Sequence, residues 1–170
     1  MEFNKNNHTI VNSLRIKNWI KCELEASLIL YFTGISRKSS EIIEDQTTNI
    51  QLGKNKSLES MHKMRSQAIR MKDALICGDL KTFCNSLYEG WQAKKSSSKS
   101  VSNEYIEEIY KSAIDSGAIA GKLTGAGGGG FMLFYSPPEK KADVIRNLKV
   151  FGGKIYDFHF TDQGCQAWTI

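Results

Sequence analysis

The sequence has no Cys-x-x-Cys spacing among its four cysteines, Cys22, Cys77, Cys84 and Cys165, and no histidine at ligand spacing from them. That argues against a metal centre or thiol redox chemistry, and Cys77 and Cys84 read as small buried hydrophobes on helix faces. No apolar run approaches the roughly 18 residues of a membrane span. Met1 to Asn12 lacks the basic-then-apolar order of a secretory leader. A cytoplasmic protein with reduced thiols is expected, with no membrane partner. Nucleic-acid signatures are missing too. The net charge is +5 and the pI about 9.0, but the basic residues are scattered among acids and concentrate only at Arg37-Lys38 and Lys94-Lys95. With no helix-turn-helix, zinc-finger or RNA-binding pattern, that field suits a phosphorylated small molecule better than a nucleic acid. A catalytic carboxylate pair is also absent: Glu107 and Glu108 are adjacent and point to different sides of a helix.

What the 170 residues do have is glycine in one place: five of fourteen fall between Gly125 and Gly130, in Gly121-Lys122-Leu123-Thr124-Gly125-Ala126-Gly127-Gly128-Gly129-Gly130-Phe131. Glycine loses more backbone entropy on folding than any other residue, so such a run belongs where positive φ or close backbone approach is required. The spacing formally fits a dinucleotide fingerprint, but that fingerprint opens a helix. Here Phe131 to Tyr135 follows, which reads as a strand. A Walker A loop ends in Gly-Lys-Ser/Thr, and Lys122 precedes the glycines. The remaining arrangement is a hairpin, entered by Ala118 to Thr124, whose loop N–H groups can form an anion-binding nest. A flexible hairpin tip without ligand is the plain alternative.

The rest of the chain reads as one α+β domain covering 1–170, with 1–26 as a lead-in hairpin and connector that carries Trp19 into the fold. Ser27 to Phe32 is an apolar run of the buried-strand type. A helix is expected from Ser36, a candidate N-cap, to about Gln51, with Arg37 in its first turn. A second runs from Leu58 to Cys77, its stripe formed by Leu58, Met61, Met64, Ala68, Met71 and Leu75. Gly78 stops it, Asp79 caps the next, and Leu80, Phe83, Leu87 and Trp91 form the buried face. Ala93 to Ser100 reads as a polar loop, either a lid or a connector. Ser102 or Asn103 caps a helix with Ile106, Ile109, Tyr110 and Ala113 inward. Ser136-Pro137-Pro138-Glu139 reads as a capping box. Val144, Ile145 and Leu148 follow on that helix, Lys154 to Phe160 alternates as a strand, and Ala167 to Ile170 forms a final strand. Helices beside a mainly antiparallel sheet in this order fit a ferredoxin-like, split βαβ sheet with additional helices.

The residues Lys122-x-Thr124-Gly125-Ala126-Gly127-Gly128-Gly129-Gly130-Phe131 resemble the third signature of the GHMP small-molecule kinases. The resemblance extends over essentially the whole chain and is closest to the carboxy-terminal half of bacterial D-glycero-D-manno-heptose 7-phosphate kinases. It is carried further by Leu14 to Ile20, Leu30 to Thr33, Ile114-Asp115-x-Gly117-Ala118 and Asp157-Phe158-x-Phe160-Thr161. It implies the ferredoxin-like fold of GHMP kinase carboxy-terminal domains. It also implies a glycine loop, Gly125, Ala126, Gly127, Gly128, Gly129 and Gly130, lying against nucleotide phosphates or the phosphate loop of the other half. Substrate contacts from Lys122, Thr124 and Arg37 are implied as well, the last through Thr33-x-x-x-Arg37; a solvated first-turn arginine is the alternative for Arg37.

In that superfamily the Pro-x-x-x-Gly-Leu-Gly-Ser-Ser signature, the magnesium ligands and the catalytic aspartate lie in the amino-terminal half, and none has a matching position here. No catalytic residue and no metal ligand is therefore assigned. The resemblance implies a sugar kinase that uses ATP and Mg to phosphorylate the heptose 7-phosphate at its anomeric position, in nucleotide-activated heptose synthesis for surface polysaccharide, and a chain that is inactive without the amino-terminal half as partner. The alternatives are a non-catalytic ferredoxin-like module for a phosphorylated small molecule and a truncated, inactive product. Homo-oligomerisation stays open.

Overall fold

The computed structural model describes all residues except 36–38, 53–54, 162 and 169–170. A small antiparallel hairpin, β1 (Glu2–Phe3) with β2 (Thr9–Ile10), comes first. Helix α1 (Asn18–Ser27) then runs directly into β3 (Leu28–Phe32). Four helices follow: α2 (Ser39–Gln51), α3 (Asn55–Cys77), α4 (Leu80–Ser97) and, after a 3-10 turn at Lys99–Val101, α5 (Glu104–Asp115). Strands β4 (Ala120–Leu123) and β5 (Phe131–Tyr135) flank the glycine loop, and α6 (Pro138–Leu148) leads to β6 (Lys154–Tyr156). The four-stranded sheet has the order β4-β5-β3-β6 and is antiparallel throughout. A ladder from Leu28 opposite Tyr135 to Phe32 opposite Phe131 forms its centre. This is the ferredoxin-like order, with helices α2 to α5 placed between its first two strands.

The two-residue period of a strand sends alternate residues to opposite faces. Ile29, Tyr31, Leu123, Met132 and Phe134 meet Ile106, Ile109, Tyr110 and Ala113 of α5 and Val144 and Leu148 of α6, joined by Trp91 and Val101. On the other face Leu28, Ala120 and Tyr135 meet Ile20 and Leu24 of α1, Ala74 of α3, and Phe83, Cys84 and Leu87 of α4. That second cover stops short of the glycine-loop end of the sheet. Leu30, Phe32, Phe131 and Leu133 are only partly buried. Phe131 packs on Phe32 and on Tyr156, with ring centroids 5.1 and 5.3 Å apart.

Several expectations change. Residues 18–27 form a helix rather than a connector, and the Trp19 ring lies over Gly78, where a Cβ would come within 2.6 Å of it. No glycine or proline separates this helix from β3; instead Lys141 Nζ donates to the end carbonyl of Ala26 at 2.7 Å, where a cation is favoured. Residues 93–97 are helix, not loop, and Ser97 and Ser98 are buried. The face of α3 turned toward α4 contains Ser57, Ser60 and Ala74, while Leu58 and Ala68 are exposed. Small residues allow the close approach, and Ser57 Oγ donates to Ser97 O at 3.1 Å. Cys77 is exposed, whereas Cys84 is buried and its thiol is pushed up to about 12 by desolvation.

Ser136 does not cap α6. Its N–H donates to Ser27 O at 2.9 Å, which extends the central ladder by one residue, and the helix starts at Pro138 without a side-chain cap. Strand β6 ends at Tyr156, and the segment after it is held by Glu25, whose Oε1 accepts from Phe160 N–H at 2.6 Å. Ala167 and Trp168 are not in a strand, and Thr169, Ile170, Ser36 and Arg37 lie outside the described residues.

The caps of α4 and α5 are where the sequence places them: Asp79 Oδ1 accepts from Thr82 N at 2.9 Å, and Asn103 Oδ1 from Ile106 N at 3.0 Å. Urea denaturation separates real from apparent caps. Asn103→Ala is expected to lose about 1 kcal/mol, whereas Ser136→Ala, which removes no cap and only the 3.2 Å bond from its buried Oγ to the adjacent Pro137 carbonyl, should lose less.

Candidate functional site

Beyond the last ladder pair of β4 and β5, Thr124 closes the hairpin by donating to Phe131 O from both its N–H (2.8 Å) and its Oγ1 (2.9 Å). Gly125 to Gly130 then project from the sheet, and each glycine among them has positive φ. The loop is docked rather than loose. Gly128 N–H donates to Val101 O at 2.8 Å and Gly130 N–H to Ile35 O at 2.7 Å. In return Gly130 O accepts from Thr33 N–H at 2.9 Å, with Thr33 Oγ1 3.0 Å away. A Cβ at Gly127 would lie 2.8 Å from Val101 O, and one at Gly129 2.7 Å from Ile35 O. Much of the glycine content is thus explained by close approach to two neighbouring backbone segments. Two N–H groups of the expected nest are used internally. Those of Gly125, Ala126, Gly127 and Gly129 find no acceptor among the described residues.

Val101 is itself held from below. Lys95 Nζ pairs with Glu107 Oε2 at 2.8 Å, and Glu107 Oε1 accepts from Ser102 Oγ at 2.6 Å. Asp45 of α2 accepts from Ser98 Oγ and, at 3.1 Å, from Ser100 Oγ. The 3-10 turn that supports the loop is therefore tied to α2, α4 and α5 together.

Two lysines stand beside the loop. Lys94, on the last turns of α4, donates from Nζ to the Gly125 carbonyl. Lys122 lies on β4, on the sheet face shared with Ala120 and Leu133. Neither reaches a carboxylate among the described residues. Burial pushes the Lys94 ammonium down to about 8, with the positive charge of Lys122 as the second cause, and burial lowers Lys122 as well.

The sequence expectation placed Lys94 in a loop and gave it no role. Its signal was the continuation of the α4 stripe, Leu87, Trp91, Lys94, at spacings of four and three. Of the residues expected at the site, Gly125 to Gly130, Thr124 and Lys122 come together, while Arg37 falls outside the described residues. The loop N–H groups without an acceptor and the two ammonium groups without a carboxylate among the described residues could hold the phosphates of a nucleotide. Magnesium is different: among the described residues no group of three Asp, Glu, His or Cys is placed to hold a metal ion. No described helix is long and apolar enough to cross a membrane.

The chain carries a GHMP kinase C-terminal domain: residues 71–152 match the family described as GHMP kinases C terminal. It is 48% identical over its whole length to the D-glycero-alpha-D-manno-heptose 7-phosphate kinase of Campylobacter jejuni, of which it covers 50%. The crystal structure of a D-glycero-D-manno-heptose 1-phosphate kinase from Bacteroides thetaiotaomicron is 36% identical. It superposes with a TM-score of 0.67 over 99% of this chain and 44% of that one. The L. major mevalonate kinase, solved with R-mevalonate, shares the fold at 20% identity, with a TM-score of 0.69 over 76% of this chain and 40% of that one. The chain thus spans about half the length of its heptose-kinase relative.

Substitutions in the loop separate strain from collision. Gly125 has φ 70 and open space around its Cβ position, so Gly125→Ala should cost about 1–2 kcal/mol. Gly127→Ala adds a backbone collision and should cost about 3 kcal/mol or more, both read by urea denaturation. In a lysine-resolved NMR titration Lys94 is expected to lose its proton near pH 8, and Lys122→Met should move that midpoint upward. Because its folded value lies below its ordinary one of 10.5, the folded state binds fewer protons in between. Lys94 therefore makes the fold gain stability as pH rises through that window.

Proposed function

We propose that this chain is the carboxy-terminal half of an ATP-dependent sugar kinase that phosphorylates D-glycero-D-manno-heptose 7-phosphate at its anomeric hydroxyl, and that it is inactive without an ATP-binding amino-terminal half, on the same polypeptide or a separate one. The observation that carries this reading is the docked glycine loop with four N–H groups that find no acceptor, beside two lysines that find no carboxylate, among the described residues. The relatives' names support the substrate class, since both refer to a heptose monophosphate.

Phosphoryl transfer asks a protein mainly to position the groups and to stabilise charge on the phosphate oxygens. In this proposal ATP, bound when the other half is present, supplies the phosphoryl group. The amides of Gly125, Ala126, Gly127 and Gly129 offer fixed donors to phosphate oxygens, and Val101 and Ile35 hold them in place before ligand arrives. Lys122 and Thr124 line the mouth of the loop, and Arg37 is proposed, on resemblance, to bind the phosphate of the sugar. Any magnesium would be bound by groups from the other half. The half-exposed strip of Phe32, Phe131 and Tyr156, which starts where the loop ends, is the surface proposed to lie against that half.

ADP release from ATP, magnesium and the heptose 7-phosphate tests this. The chain alone should give none, and supplying the amino-terminal half of the Campylobacter relative in trans should restore it. Turnover by the chain alone, or none with a folded complex, would contradict the proposal. In the complemented enzyme Arg37→Ala should raise KM for the sugar phosphate about tenfold or more with little change in KM for ATP, as expected for one charge-assisted phosphate contact.

A further inference from the structure

We propose that Lys94 and Lys122 together bind one phosphate group at the mouth of the glycine loop, with Lys94 holding both the ligand and the Gly125 carbonyl. This deepens the kinase reading and rests on it for the identity of the ligand. Lys94 comes from α4 and Lys122 from β4, 28 positions further along the chain. Each is partly buried and has no carboxylate partner among the described residues. The neighbouring Lys95 behaves in the ordinary way, with Glu107 as counter-ion and the rings of Trp91 and Tyr110 beneath it at 5.5 and 5.7 Å.

Among the described residues Lys95 has a counter-ion and Lys94 and Lys122 have none, so an anion bound between them would meet two uncompensated charges. An ammonium has three donors. Lys94 spends one on Gly125 O, and Lys122 makes no hydrogen bond among the described residues. Five donors therefore remain for phosphate oxygens, next to the unpartnered amide of Gly125 itself. The Lys94 bond also gives the Gly125 carbonyl a cationic partner, so the same side chain offsets a repulsive group and supplies an attractive one.

The shared ligand chemistry is a phosphate, which reaches this place either in a nucleotide polyphosphate or in a sugar phosphomonoester. Isothermal titration of this chain with inorganic tripolyphosphate and, separately, with D-glycero-D-manno-heptose 7-phosphate distinguishes the two sources by which one binds. Lys94→Met and Lys122→Met should each weaken the bound probe about fivefold or more, and Lys94→Arg should retain it within about twofold. A readout that a purely structural role would not move is proton uptake. At pH 8 the Lys94 ammonium is partly deprotonated; Lys122 faces it from β4, and Glu107 of α5 is engaged by Lys95. Binding an anion there favours the charged ammonium, so titrations with the same probe in buffers of different ionisation enthalpy should show more net proton uptake in the parent than in Lys94→Met.

If the parent binds a probe and Lys94→Met binds it equally well, the pair is not the site and the glycine amides hold the phosphate alone, which leaves the kinase reading intact. Binding with the same net proton exchange in the parent and in Lys94→Met, or no binding of either probe, overturns the proposal, and the kinase reading is then judged separately by ADP release from the complemented enzyme.

Discussion

The structure around the glycine loop depends on one contact, the Val101 carbonyl accepting the Gly128 N–H while occupying the space a Cβ on Gly127 would need. Any side chain at Gly127 would displace it, so the glycine there answers to a neighbouring backbone before it answers to a ligand. Val101 is fixed because Lys95, Glu107, Ser102, Asp45, Ser98 and Ser100 converge on the turn that contains it. The matching contact at the other end, Gly130 on Ile35 with Thr33 returning the bond, fastens the loop to the strand that forms the centre of the sheet. Between the Thr124 closure and those two anchors the loop amides are held in place without help from a ligand, and little ordering entropy is left to lose on binding.

The sheet explains why the loop stands where it does. Strands β3 and β5 are central and buried, with one face fully covered by α5 and α6. The other face is covered by α1, α3 and α4 only at the end away from the loop. What remains open at the loop end is aromatic and apolar, bordered by Lys122. The asymmetry suits the proposed half of a kinase: one part of the domain carries its stability, and another stays available to meet a second half. The depressed Lys94 ammonium belongs to the same economy, since unpaired charge costs stability in the free domain and is useful only when something anionic arrives.

The central strands, the glycine hairpin, the caps at Asp79 and Asn103 and the inward face of α5 were legible because each is a local pattern: alternation, a glycine run, a polar cap before a periodic stripe. Helix α1 was not, since nothing breaks the chain between Ser27 and Leu28 and the stop comes from Lys141, more than a hundred residues away. The end of α4 was hidden by its composition, two lysines and three serines, although Lys94 keeps the spacing of Leu87 and Trp91. Ser136 has every local mark of an N-cap and is claimed by the sheet instead. At the site, the glycines, Thr124 and Lys122 could be read from one motif. Lys94 could not, because its role arises from helix α4 meeting the hairpin, a contact no sequence window contains.

Amide hydrogen exchange of the chain, with and without inorganic tripolyphosphate, tests most directly whether the loop is a platform fixed in advance and presenting free donors. The account requires Gly128 and Gly130 to be protected in the free chain, and Gly125, Ala126, Gly127 and Gly129 to exchange quickly until phosphate slows them. Uniformly fast exchange across all six residues, unchanged by the ligand, would mean that the loop is neither docked nor a phosphate site.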